Sequence, residues 1–218
     1  WIFVGNSGVV SFGHVGFMAI GAYCSAWLTL NPMTKGLFLP DLWPFLANAE
    51  WHVLPAALAA GLLASLIALI SGAAILRLTG IAASIATFAF LAIVYTIYSS
   101  WEGVTGATSS VVGLPRYADQ WVTLGWAAVV ILCASFYANS ASGLALRASR
   151  EDEVAASASG INMYRHRLIS LVVSAFFAGV AGALFGHSLG VLNPNSFYLG
   201  VTFITLAMLV VGGIGSLT

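Results

Sequence analysis

The chain reads as an all-α, polytopic transmembrane helix bundle of about six membrane segments with one short cytoplasmic helix, on three observations. Of its 218 residues, 60% are hydrophobic and 6% charged. Soluble domains carry about 25% charge, and a soluble fold of this length could not hide so much apolar surface. The apolar residues also fall in uncharged runs of about 20, the length a helix needs to cross hydrocarbon. Finally, the sequence lacks the alternation of a membrane β-barrel, which leaves helices to satisfy the backbone internally. The mean hydropathy of +0.98 agrees.

The spans follow from where charge interrupts the runs. Residues 1–34 contain no Asp, Glu, Lys or Arg, and Pro32 closes them, predicting a span over 9–30. Arg77 stops a second run and predicts a span over 53–76. Glu102 bounds a third, 80–99, and Arg147 ends a fourth, 121–139. Residues 168–218 are uncharged but too long for one span. The turn signal Asn193-Pro194-Asn195 divides them into spans at 168–190 and 198–217. The chain starts at Trp1 in apolar sequence and stops inside the last predicted span. It is therefore expected to be one membrane domain, 1–218, from the interior of a longer protein. Cys24 and Cys133 lie in apolar runs and read as small buried hydrophobes. The zero net charge gives no sign of nucleic acid.

Orientation follows the Lys/Arg bias. Arg77 and the loop 140–167, with Arg147, Arg150, Arg165 and Arg167, fall on one side by parity and hold five of the seven basic residues. That side is expected to be cytoplasmic. The loops 31–52 and 100–120 then face outward, with Lys35, Arg116 and the belt-type residues Trp43, Trp51, Trp101 and Trp121. In the fifth span Ser174, Ala178, Gly182, Gly186 and Gly190 recur every four residues, predicting a small-residue stripe for close helix packing.

The dense charge in Arg147-Ala-Ser-Arg150-Glu151-Asp152-Glu153 interrupts this pattern. Ser149 and Asp152 have capping-box spacing, which predicts a helix of about ten residues. Glu151, Asp152 and Glu153 would sit in its first turn, where the dipole favours them, and Gly160 would stop it. So short a helix is marginal alone and must dock on something: its own bundle, lipid headgroups or a soluble partner.

The stretch from Gly143 to Ile161 resembles the cytoplasmic coupling loop of ABC-importer permeases, most closely the branched-chain amino acid permeases of the LivM type. Three further stretches share the resemblance: Gly8 to Tyr23, Leu76 to Ala89, and Leu209 to Ser216. Leu144 stands where that family often has a basic residue, Ser149 and Ser159 where it often has bulky apolar ones, and Thr105-Gly106-Ala107 where it often has Thr-Gly-Gly. The resemblance implies a permease subunit of an inner-membrane importer for branched-chain or related amino acids. It implies two ATPase subunits that bind ATP and Mg and dock on Arg147, Arg150, Glu151, Asp152, Glu153 and Gly160. It also implies a second, homologous permease chain and an external substrate-binding protein. This chain has no phosphate-binding glycine loop and binds no cofactor of its own. Urea or short-amide import is an alternative, since related permeases move them. A stand-alone secondary transporter is another, although the spans hold no carboxylate or basic residue to couple an ion.

For the pathway the candidates are Asn6, Ser7, Ser11, Gly13 and His14, where glycine and polar residues replace continuous apolar helix. They predict a broken or re-entrant helix whose free backbone groups suit a zwitterionic amino acid. His14 has two readings, a helix–helix hydrogen bond or a pathway residue. A metal site or an intramembrane enzyme built on His14 and His187 lacks a third ligand or a carboxylate in the spans. Thr105 and Gly106, with Ser109, Ser110 and Gly113, would make a polar outer loop at the entrance or an ordinary surface loop.

Overall fold

The computed structural model describes residues 1–78 and 80–213. The helices follow the uncharged runs: α1 Val4–Ser7, α2 His14–Thr29, α3 Pro32–Phe38, α4 Pro44–Ala47, α5 Val53–Ile75 and α6 Gly80–Ser100. Next come α7 Glu102–Thr105, α8 Gln120–Ala138, α9 Ala141–Glu151, α10 Glu153–Ala158, α11 Met163–Leu189 and α12 Leu199–Val211. A 3-10 turn, Pro194–Phe197, leads into α12. The predicted helical bundle is observed, with one small addition. Two short strands, β1 Val111–Val112 and β2 Val191–Leu192, pair antiparallel and tie together the two loops that carry them.

Among the described residues, five helical segments are long and apolar enough to cross a membrane: α5, α6, α8, α11, and the 3-10 turn together with α12. The chain is thus a multi-pass membrane protein. The expected first span differs. Its helix begins only at His14, and 16 residues rise about 24 Å, short of a hydrocarbon core of about 30 Å. α11 starts five residues earlier than expected because Asn162 caps it, its Oδ1 accepting from Arg165 N at 3.1 Å. The expected last span, 198–217, and the motif residues Gly215 and Ser216 run beyond the described residues.

The core is α2, α5 and α11 packed at backbone distance, and glycine makes this possible. A Cβ on Gly182 would overlap the Met18 carbonyl of α2, and one on Gly21 would overlap the Gly179 backbone of α11. On the other side, a Cβ on Gly179 would come within 2.7 Å of the Ala64 methyl of α5 and 2.9 Å of the Ala60 carbonyl. Ala56, Ala60, Ala64 and Ala68 of α5 are fully buried against this face. Steps of four residues drift about 40° each on an α-helix, so a strict four-residue stripe leaves a straight interface. Accordingly Gly182 packs on α2, Gly186 faces Leu192 of β2, and Gly190 ends α11 in the left-handed region at φ +71. Cys24 and Cys133 are both free.

Candidate transport site and coupling surface

At the arginine-rich end the chain turns back on itself. α1 ends at Gly8, φ +69, whose N–H bonds to Val4 O at 2.9 Å. Residues 8–13 then run back beside α6. Ser84 Oγ donates to Val10 O at 2.7 Å, and Phe12 N donates to Thr87 Oγ1 at 3.1 Å. The reversal brings the ring of Phe3 to 5.8 Å from that of His14. The irregularity expected from the glycine and polar residues is present, as a turn between two helical pieces.

Asn6, Ser7, Ser11, Gly13 and His14 are gathered around this turn. Asn6 Nδ2 donates to Ile2 O at 2.8 Å, and Ser7 Oγ donates to Phe3 O at 2.7 Å, so both fold back on their own helix. The fully buried Asn6 leaves its Oδ1 without a protein partner. Gly13 lets the chain approach α6, where an added Cβ would lie 3.2 Å from Thr87 O.

His14 bridges two hydroxyls, Ser11 Oγ to Nδ1 and Ser174 Oγ to Nε2, each at 3.0 Å. The Ser174 hydroxyl donates to Leu171 O at 2.9 Å, which commits its one proton. Ser174 therefore accepts from His14, which assigns the Nε2–H tautomer with Ser11 donating to Nδ1. The pair lines a cavity of about 370 Å³ between α2, α8, α11 and α12, whose other walls include Ile2, Ile131, Phe177 and Met208. This volume is in the range of small-ligand pockets. The role of Ser174 was missed in the sequence, where it read only as a small residue of the packing stripe.

His187 is a different case. It is fully buried, its Nδ1 donates to Pro115 O at 2.9 Å, and its Nε2 accepts from Ser25 Oγ at 2.8 Å. Both nitrogens are satisfied, so it fastens α2 and α11 to the segment before α8. Along α11 it lies about 20 Å from Ser174 and hence from His14. Among the described residues, no three His, Cys, Asp or Glu side chains gather as a metal site would require.

Thr105 and Gly106 lie at the opposite end of the bundle. Buried Thr105 Oγ1 is 2.7 Å from both Tyr98 O and Trp101 O, while Gly106 caps α7 at φ +74. Ala107, where the resembling family often has glycine, adopts φ +49. Nearby Lys35 is almost fully buried and donates to Leu46 O at 2.8 Å and to Ala49 O. Burial pulls its ammonium pKa below the ordinary lysine value, and Glu50 acts in the other direction.

The charged island forms two helices, not one. Ser149 is inside α9, buried, with its hydroxyl on Leu146 O at 2.7 Å, so the expected capping box does not form. The caps are Ser140, which accepts from Gly143 N at 3.2 Å, and Asp152, whose Oδ1 accepts from Val154 N and Ala155 N at 2.9 Å each. Of the three acids only Glu153 occupies the first turn of α10. Glu151 ends α9, and Asp152 is the cap between the two helices. Ser and Asp cap about equally well, and burial decides between them: Ser149 is packed inside α9 with its hydroxyl on Leu146 O, which leaves Asp152 to take the free N–H groups. Gly160 follows α10 at φ +82, the conformation expected of a stop.

The basic residues of the island turn inward. Arg147 Nη2 donates to Ala138 O at the end of α8. Arg150 Nη1 donates to Gly5 O of α1 at 2.9 Å. Arg167 of α11 pairs with Glu153 at 3.2 Å. Leu146 is fully buried beneath them. The outer face presents Leu144, Ala148 and Glu151 at helical spacing, followed by Val154, which is 80% exposed. The sequence signal for this face was a lone large apolar residue, Val154, amid acids and serines.

Residues 1–218, the whole chain, match the family model described as branched-chain amino acid transport system / permease component. The chain is 28% identical over 249 residues to the high-affinity branched-chain amino acid transport system permease protein LivM of Escherichia coli, covering 99% of this chain and 55% of that protein. It is 32% identical over 228 residues to the guanosine ABC transporter permease protein NupQ of Bacillus subtilis, covering 97% of this chain and 69% of that protein. It is 43% identical over 83 residues, 38% of this chain and 26% of the relative, to the Escherichia coli permease protein LivH. The chain thus spans about half the length of the LivM relatives. No solved structure matches it. With the family model covering every residue, the chain belongs to the permease components of the branched-chain amino acid transport system family.

Proposed function

We propose that this chain forms the membrane-spanning part of a permease subunit in an ATP-driven importer of the bacterial inner membrane. The observation that carries this is the α9–α10 pair. Its arginines and Leu146 fasten it beneath the bundle, while Leu144, Ala148, Glu151 and Val154 form an uncommitted outer face. A loop helix held rigidly to its own bundle and carrying exposed apolar side chains suits docking on a soluble ATPase. In this reading two ATPase subunits bind the arginine-rich, cytoplasmic end and hold ATP and Mg. A second homologous permease completes the pathway, and an external binding protein delivers substrate to the end that carries Thr105, Gly106 and Lys35.

Branched-chain amino acids are the preferred cargo. The cavity beside His14 and Ser174 is largely apolar, with two polar groups to orient a ligand. A nucleoside is the second reading, favoured by the 32% identity to a permease named for guanosine. Urea or a short amide fits an apolar cavity of this size less well. A stand-alone secondary transporter is disfavoured because α2, α5, α6, α8 and α12 contain no Asp, Glu, Lys or Arg. The test is ATP-dependent uptake by the complete complex in proteoliposomes, with labelled leucine, guanosine and urea. Leucine uptake supports the proposal, guanosine uptake supports the second reading, and uptake driven by an ion gradient without ATP refutes both.

A further inference from the structure

Arg150 is exposed near the end of α9, but its side chain reaches back to α1 and not across the outer face. Its stem lies over Gly8, where an added Cβ would come within 3.0 Å of Cγ and 3.4 Å of Cδ. Its guanidinium takes the Gly5 carbonyl at 2.9 Å. That carbonyl is free because of the turn. In a continued α-helix it would accept from Val9 N–H, but Val9 N instead donates to Ser7 Oγ at 3.3 Å. From Gly8 the chain is pinned to α6 at Val10 and Phe12 and reaches His14 and the cavity four to six residues later. The other two inward arginines lead elsewhere: Arg147 to the end of α8, and Arg167 from α11 to α10.

We propose that Arg150 is a positioning residue that carries displacement of α9 into the 8–13 turn, and through it to His14 and the cavity, without contacting the docked partner. This rests on the reading of α9–α10 as the ATPase-docking element. The linkage is a continuous series of contacts: Arg150 bonds to Gly5 O and packs over Gly8, the turn bonds to α6, and His14 joins Ser11 of the turn to Ser174 of α11. Coupling through such a series needs a direct test. Charge-assisted bonds of this kind are geometrically demanding, so an apolar side chain of similar length should leave the helix packed but slack.

The test uses the full-length chain with its partner permease and ATPases in nanodiscs, and needs no knowledge of the substrate. With Cys24 and Cys133 replaced by alanine, Ala134→Cys on the cavity wall reports maleimide labelling with and without ATP plus vanadate. The expected result is a labelling rate that changes at least fivefold with nucleotide in the Arg150 parent. In Arg150→Met the change falls below twofold, while the ATPases stay bound and still hydrolyse ATP. Arg150→Lys, which keeps a charged donor, should restore at least half of the response. Gly8→Ala, which presses a methyl group on the Arg150 stem, should also lower it and serves if Arg150→Met does not fold into the membrane. A full nucleotide response in Arg150→Met or Gly8→Ala overturns the proposal. So does loss of the ATPases from Arg150→Met, which would make Arg150 a docking contact, or a parent whose labelling ignores nucleotide. If no ATPase binds the parent, the docking reading itself falls.

Discussion

His14 Nε2 and Ser174 Oγ meet at 3.0 Å across the α2–α11 interface, and Ser174 cannot donate because its proton is on Leu171 O. The imidazole is thereby held as a donor toward α11 beside the cavity. Removing the acceptor leaves the N–H of a half-buried histidine short of a partner, which costs up to about 1 kcal/mol. Ser174→Ala should accordingly lower the thermal midpoint of the detergent-solubilised protein, and Ser174→Thr should recover most of the loss. Equal midpoints for all three would show that the bond contributes nothing.

The α2–α11 contact makes a sharper prediction. Gly182 faces the Met18 carbonyl with no room for a methyl, and a backbone neighbour cannot rotate away as a side chain can. Gly182→Ala should destabilise by at least about 1–3 kcal/mol, the usual cost of overpacking. Gly200 has open space around it, so Gly200→Ala should have little effect. Scanning calorimetry or a thermal aggregation assay on the two variants gives the comparison.

At the other end of the bundle Ala107 holds φ +49, a conformation that costs an L-residue about 1–2 kcal/mol and glycine almost nothing. Ala107→Gly should raise stability by about 1 kcal/mol, less the entropy that glycine adds to the unfolded chain. A lower midpoint in this variant would contradict the strained backbone seen here.

Much of this architecture was legible in the sequence because burial in lipid is a one-dimensional constraint. Uncharged runs located α5, α6 and α8 to within a residue or two, and Asn193-Pro194-Asn195 marked the break before α12. The uncharged run alone started the first span too early, at residue 9, while the glycine and polar residues from Asn6 to His14 marked the break that separates α1 from α2. The island was misread for another reason. Ser149 and Asp152 both carry capping chemistry, and only burial of Ser149 against the bundle decides between them. The pairing of His14 with Ser174, 160 residues apart, has no local signature at all.

The central claim is that α9–α10 docks an ATPase through its outer face. Asp152 is a poor probe because it also caps α10, so its loss would disturb the fold. Glu151→Lys combined with Val154→Asp alters only exposed side chains. The full-length chain and this double variant should be copurified with the candidate ATPase subunits at equal expression. The account predicts that ATPase accompanies the unaltered chain and is reduced at least tenfold with the variant, whose thermal midpoint is unchanged. ATPase retained in full by the double variant would contradict it.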